Sequence, residues 1–198
     1  MKKLFLALML AIASSHNIDA QITAPAVEQR AETDARYLAG AIPVVDGHAQ
    51  ITRTIEVRPE LSTEQVMQLM DQWLVRCTKD DRIRANQRLE PTPATCLQQM
   101  FTLELTFSKS FISHDFADVC YVLVLDASQA GQVQMTMTRI YYRYNEGSKP
   151  VKYMAEELIS DDIAINKKGK IVYGYKKFRI KTIDLMDELA ASLQKELR

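Results

Sequence analysis

Seven of the fifteen residues from 167 to 181 are basic: Lys167, Lys168, Lys170, Lys176, Lys177, Arg179 and Lys181. Tyr173, Tyr175 and Phe178 are set among them. Cations interleaved with aromatic faces can hold a phosphate, an acidic glycan or an acidic protein surface. The binding residues under this reading are Lys167, Lys168, Lys170, Tyr173, Tyr175, Lys176, Lys177 and Arg179. An acidic run precedes them, with Glu156, Glu157, Asp161 and Asp162. The two runs can instead pair with one another, and lysines on an exposed edge strand also block edge-to-edge association. Charge runs more often make paired or solvated faces than sites.

Other chemistry finds little support. There is no Gly-x-Ser-x-Gly elbow, no His-Glu-x-x-His pair and no phosphate loop. Ser108 and Ser110 flank Lys109, but Ser-Lys catalysis needs Ser-x-x-Lys spacing. Adjacent carboxylates such as Glu156-Glu157 are not a glycosidase pair, which comes from separate elements. His114, Asp115 and Asp118 form a weak metal motif, since neither His114 nor His48 has a second histidine at ligand spacing. The expectation is a non-catalytic protein with no cofactor and no metal. Convergence of His114, Asp115 and Asp118 with a further carboxylate in a cleft would reopen an enzymatic reading.

The first twenty residues read as a signal peptide. Lys2 and Lys3 precede an apolar run from Leu4 to Ala13, ten residues and too short to span a bilayer. The expected cleavage lies near Ala20-Gln21, which sends the mature chain to the periplasm or beyond the cell. No cysteine follows the run, so no acylation site is expected. No later run approaches membrane-spanning length. The full chain carries 25 basic and 25 acidic residues. Neutrality and export together argue against nucleic acid as a partner.

Export places Cys77, Cys96 and Cys120 in an oxidising compartment. Three cysteines allow at most one internal bridge. Cys77–Cys96, closing the loop from Asp80 to Thr95, is the preferred pairing and would contribute about 3 kcal/mol. Three free buried thiols are the alternative, because spacing does not fix connectivity.

The elements that must position these residues follow from pattern. Residues 21–40 read as a short arm, and 41–198 as one domain. Asp46-Gly47 between Ile42–Val45 and Ala49–Val57 is a hairpin signal. Ser62 with Gln65 makes a capping box for a helix whose stripe is Val66, Leu69, Met70, Trp73 and Cys77. Trp73 reads as core packing. A polar loop with Pro91 and Pro93 follows. Phe101, Leu103, Leu105 and Phe107 alternate with polar residues, which predicts a half-buried strand. Val119–Leu125 and Val133–Tyr144 add two more, joined by a turn at Ala127–Gly131, and Asn145-Glu146-Gly147 ends the last. Asn166–Gly169 reads as a turn. Ile183, Met186, Leu189, Ala190, Leu193 and Leu197 predict a C-terminal helix. The fold class is α+β: a single curved antiparallel sheet, built from hairpin, helix and strand meander, with both helices on one face.

With the hairpin and C-terminal segment in hand, the chain resembles the TBP-like-fold domain-of-unknown-function family of secreted Bacteroidetes proteins. The matching pieces are Ile42–Gly47, Thr54–Val57, Trp73-Leu74, Asn166–Lys170, Phe178-Arg179 and Thr182–Leu185. The resemblance implies a helix-grip-like sheet around a long helix and implies no known activity. Members often carry a lipobox cysteine, which this sequence lacks.

The function expected is an exported, non-catalytic binding or interaction module of the cell envelope. Its partner would be an envelope protein or an acidic glycan met through the basic strip. The alternative is a carrier of a small apolar ligand held between the sheet and the C-terminal helix, with Met67, Met70, Met135, Met137 and Met186 as adaptable walls.

Overall fold

The computed structural model describes residues 34–90, 92–145 and 149–198. The leader 1–20 with its cleavage point, residues 21–33 of the arm, Pro91 and Glu146-Gly147-Ser148 lie outside the described residues.

Asp34 caps a 3-10 turn, Ala35–Tyr37, accepting from the Arg36 N–H. Strands β1 (Val44–Val45) and β2 (His48–Ala49) then form a small separate sheet. Asp46 and Gly47 have φ of 51° and 77°, the pair of positive values that a two-residue primed turn needs. The second arm of this hairpin was expected to run from Ala49 to Val57. Instead the chain breaks at Gln50, and β3 (Ile51–Glu56) joins the main sheet beside a distant strand.

Helix α1 (Thr63–Cys77) begins at the expected capping box, with both reciprocal bonds between Ser62 and Gln65 formed. Its buried residues, Val66, Met70, Trp73 and Leu74, lie at helical spacing. The polar loop after it contains a strand, β4 (Ile83–Arg88), whose alternation is too weak to read.

Three long strands follow: β5 (Cys96–Lys109), β6 (His114–Asp126) and β7 (Gln132–Asn145). A short β8 (Pro150–Met154) returns along β7. The order β3-β7-β6-β5-β4 is antiparallel throughout, with β8 beyond β3 on the same side of β7. Register sets Leu103 opposite Val119 and Leu123 opposite Met137, so the apolar positions share one face. In β7 that parity reverses. Arg139 takes φ 52° where the register against β6 shifts between Cys120 and Val122. This one-residue bulge turns Ile140 and Tyr142 to the core after Val133, Met135 and Met137.

Short helices α2 (Ala155–Leu158) and α3 (Asp161–Ala164) lead to an Ile165–Ile171 bridge and a 3-10 turn, Tyr173–Tyr175. Helix α4 (Lys176–Leu197) completes the chain. It starts seven residues before the expected Ile183, because Phe178, Arg179 and Thr182 extend the buried stripe backward. The run Lys176–Lys181 is therefore helical, and no edge strand carries it.

Helix α4 packs on β3 and β5, α1 packs on β5, and the helices touch each other. Trp73 Nε1 donates to Ser192 Oγ at 3.0 Å across that seam. Each large side chain buried here stabilises by about 1.5–3 kcal/mol. Met70, Met135, Met137 and Met186 are fully buried in the core. Gln194 clips the far end of α4 to β3 through both N–H and C=O of Glu56, at 3.2 and 2.8 Å. Among the described residues no helix is long and apolar enough to cross a membrane.

The Cys77–Cys96 bridge is not formed, and all three cysteines are free. Cys77 shares a cavity wall with Leu103. Cys96 lies seven residues from Leu103 along β5, about 23 Å away at the usual strand rise. A bridge needs Cα atoms within about 7 Å. Cys120 lies within β6 in contact with Thr102 at 3.2 Å, buried as a small hydrophobe.

Candidate functional site

The basic strip does not act as one surface. Lys167, Lys168 and Lys170 are exposed on a turn in which Asn166 Oδ1 accepts the N–H groups of Lys168 and Lys170. Tyr173 is 88% exposed, while Tyr175 and Lys176 are half-buried where α4 begins. Lys177 turns inward, donating to Asp115 at 2.9 Å and to the Tyr144 hydroxyl at 2.7 Å. The aromatic rings of Tyr144 and Phe107 lie 4.3 and 4.8 Å from its ammonium.

Arg179 is 0% exposed. Its guanidinium donates to the carbonyls of Tyr37, Leu38 and Ile159 and to Asp161. It is an internal cation of the fold and cannot reach a ligand at the surface. The pairing of acidic and basic runs thus occurs here, between Asp161 and Arg179 at 2.6 Å. Glu156 instead accepts the N–H of Ala49 and lies 3.6 Å from His48 Nδ1.

His114, Asp115 and Asp118 do not converge. His114 faces Glu104 at 3.1 Å, Asp115 holds Lys177, and Asp118 lies 3.9 Å from Arg143. Among the described residues no three His, Cys, Asp or Glu side chains gather for a metal.

A recess lies elsewhere. A cavity of about 430 Å³ opens where α1, α4, β5 and β6 meet. Trp73, Phe101, Leu103, Tyr121 and Leu185 form its apolar floor and are at most 3% exposed. Arg76, Lys79, Asp80, Arg82, Glu188 and Glu196 form the rim. Arg76 pairs with Glu196 at 2.8 Å, and Arg82 pairs with Asp80 and Glu188, each at 2.7 Å. Hydrogen bonds from Arg82 hold the Asp80 carboxyl below its usual range. Three cations and three anions therefore leave the rim without net charge.

The Cys77 thiol also lines the cavity, and burial pushes its pKa up to about 12. It stays protonated near neutrality and is a poor nucleophile. Burial raises the Tyr121 hydroxyl far above its ordinary value too.

Trp73 is core packing, as its helical spacing indicates, and is also a cavity wall. The residues the sequence did not single out are Tyr121, Arg76, Arg82 and Glu188. The available signal is helical spacing: Trp73, Arg76 and Cys77 share one face of α1, and Leu185, Glu188, Leu189 and Ser192 one face of α4. Spacing says which faces meet, and side-chain volume decides whether the seam closes.

The open antiparallel sheet with two helices on one face defines an α+β protein of TBP-like fold. The chain is similar to a DUF4468 family protein from Bacteroides ovatus, with a TM-score of 0.73 and 28% identity over 83% of this chain and 94% of that one. It is also similar in fold to a TBP-like protein from Parabacteroides distasonis, with a TM-score of 0.61 and 16% identity over 79% of this chain and 97% of that one. These neighbours match the Bacteroidetes family that the sequence resembles. No family model matches the chain, and no curated protein matches it.

Proposed function

We propose that the protein is a non-catalytic binding module of the cell envelope that holds a small molecule between its sheet and its two long helices. The cavity carries this reading. Its volume of about 430 Å³ lies in the range of small-molecule sites, and an apolar floor under a polar rim is their usual composition. The protonated Cys77 thiol and the mutually neutralised rim support binding over reaction. The leader expected at residues 1–20 supports the envelope.

Native mass spectrometry of protein purified from its own source tests this reading. The expected result is an adduct on the wild type and its loss in Leu189→Trp, which fills the cavity from a half-buried position on α4. A bare polypeptide mass for the wild type would count against the reading.

A second reading rests on the exposed part of the strip. Tyr173 stands open to solvent, close in sequence to Lys167, Lys168 and Lys170. These four form a contact for an acidic envelope partner or acidic glycan. Charge reversal at the three lysines should abolish retention on a sulfated-glycan column at low salt. Unchanged retention would remove these residues from any such contact.

A further inference from the structure

Tyr121 sits on β6 with its ring 5.7 Å from that of Phe101, and the residue is 2% exposed. Buried tyrosine hydroxyls normally find a partner. In this fold Tyr142 bonds Thr182 at 2.7 Å, and Tyr37 bonds Asp184 at 2.5 Å. The Tyr121 hydroxyl makes no hydrogen bond among the described residues. Neither is it sealed: the unpaired side-chain atoms closed off from solvent there are His48 Nδ1 and Arg88 Nη1. Since Tyr121 lines the cavity, its hydroxyl opens onto that space.

We infer that the cavity takes an uncharged ligand with a ring-sized apolar body and one hydrogen-bond acceptor, and that the Tyr121 hydroxyl reads that acceptor. This deepens the proposed function and rests on it. The body follows from the floor, where Trp73, Phe101, Leu103 and Leu185 offer apolar contact. The acceptor follows from the hydroxyl, which burial keeps protonated and therefore able to donate. The absence of charge follows from the rim, where Arg76 and Arg82 are already paired and Lys79, outside those pairs, is exposed to water and would add little to an anion's binding. An anion approaching Arg82 must displace Asp80 and Glu188, and a cation approaching Glu188 must displace Arg82. The first exchange leaves two carboxylates without their cation, and the second takes from Arg82 one of its two carboxylates.

A site built around a buried donor discriminates against a ligand that leaves the donor unpaired. Three probes test this: 2-acetylnaphthalene, its hydrocarbon isostere 2-isopropenylnaphthalene, and 2-naphthoate. Each is titrated calorimetrically into the full mature chain. Fluorescence of Trp73, the one tryptophan in the sequence, serves as a second readout.

The wild type should bind the ketone about tenfold more tightly than the isostere, the ratio that one net hydrogen bond supplies. It should also bind the ketone more tightly than the carboxylate. In Tyr121→Phe the ketone should lose its advantage over the isostere while the isostere binds as before. That variant loses no intramolecular hydrogen bond, so its melting temperature should match the wild type and loss of fold does not confuse the result. Equal binding of ketone and isostere to the wild type, or a preference that survives in Tyr121→Phe, overturns the inference alone. Failure of all three probes to bind the wild type overturns the inference and the cavity reading together.

Discussion

Arg179 Nη2 lies 2.6 Å from Asp161 Oδ1, and the guanidinium is wholly inside the protein. The same carboxylate accepts the N–H groups of Gly40 and Ile42. The pair thus ties the segment before β1 to α3 and α4. Arg179→Met would remove the guanidinium from three backbone carbonyls and leave the Asp161 carboxylate with the Gly40 and Ile42 N–H groups but no countercharge, at a cost of about 3–5 kcal/mol. Arg179→Lys should recover only part of that, because an ammonium lacks the planar fork that serves four acceptors. Urea denaturation measures both, and a shift below about 1 kcal/mol for Arg179→Met would contradict a structural role.

Arg179 also shows where the sequence was legible and where it was not. Strict alternation in Phe101–Leu105 and the Ser62–Gln65 box are local patterns, and both elements formed where read. The basic strip is contiguous in sequence but not in space. A helix beginning at Lys176 rotates each residue by about 100°, so Lys177, Phe178 and Arg179 turn to different neighbours. Burial of Arg179 depends on carbonyls of Tyr37 and Leu38, some 140 positions away. The cavity depends on how two helix faces fail to interlock over β5 and β6. Both are long-range facts that no window of sequence contains.

The three cysteines give a simple chemical check. Cys77 and Cys96 stand far apart and Cys120 is buried in the middle of the sheet. Denatured protein should react with three equivalents of Ellman's reagent, and a reductant should leave the melting temperature of the native protein unchanged. Fewer than three reactive thiols would show that a bridge forms after all.

Tyr142 and Thr182 share a buried hydrogen bond, but they are not equivalent. Thr182 Oγ1 also donates to the Phe178 carbonyl at 2.8 Å, whereas Tyr142 has Thr182 alone. Tyr142→Phe therefore leaves Thr182 satisfied and should cost about 1 kcal/mol. Thr182→Val keeps the shape and orphans the tyrosine hydroxyl, at about 1–3 kcal/mol. Urea midpoints should rank the variants in that order, and the reverse order would mean that Tyr142 finds another partner.

Asp115 makes part of the stability depend on acid. Burial alone would raise its carboxyl, but hydrogen bonds from Lys177 and Tyr144 outweigh it and bring the pKa below the usual value. A carboxyl depressed in the folded state contributes stability above its unfolded pKa of about 3.9, and that contribution is lost as pH falls through the lower folded value. Lys177 is raised on balance, its bonds to Tyr144 and Asp115 outweighing burial. Its contribution is present below about 10.4 and is lost as pH rises through the folded value. Between these limits the pair should be flat with pH. Melting temperatures of wild type and Asp115→Asn should therefore differ most near neutrality and converge toward pH 2. A constant difference across that range would show that Asp115 acts by packing alone.

Arg139 carries the bulge that turns the second half of β7 over. Its φ of 52° places a side-chain-bearing residue in the left-handed region, which costs about 1–2 kcal/mol for any residue with a Cβ. The side chain is exposed, so little packing is lost when it is removed. Arg139→Gly relieves the strain and adds some freedom to the unfolded chain, which leaves a net gain of about 0.5–1 kcal/mol. Arg139→Val should move stability the other way, because a β-branched residue fits that φ worst. A deletion at 139 is the sharper test of the bulge itself. With residue 139 removed, Ile140 follows Met137 by two positions, so regular alternation keeps Ile140 and Tyr142 on the core face and the deletion should still unfold cooperatively. A deletion variant that loses cooperative unfolding would show that the bulge does more than set the parity of β7.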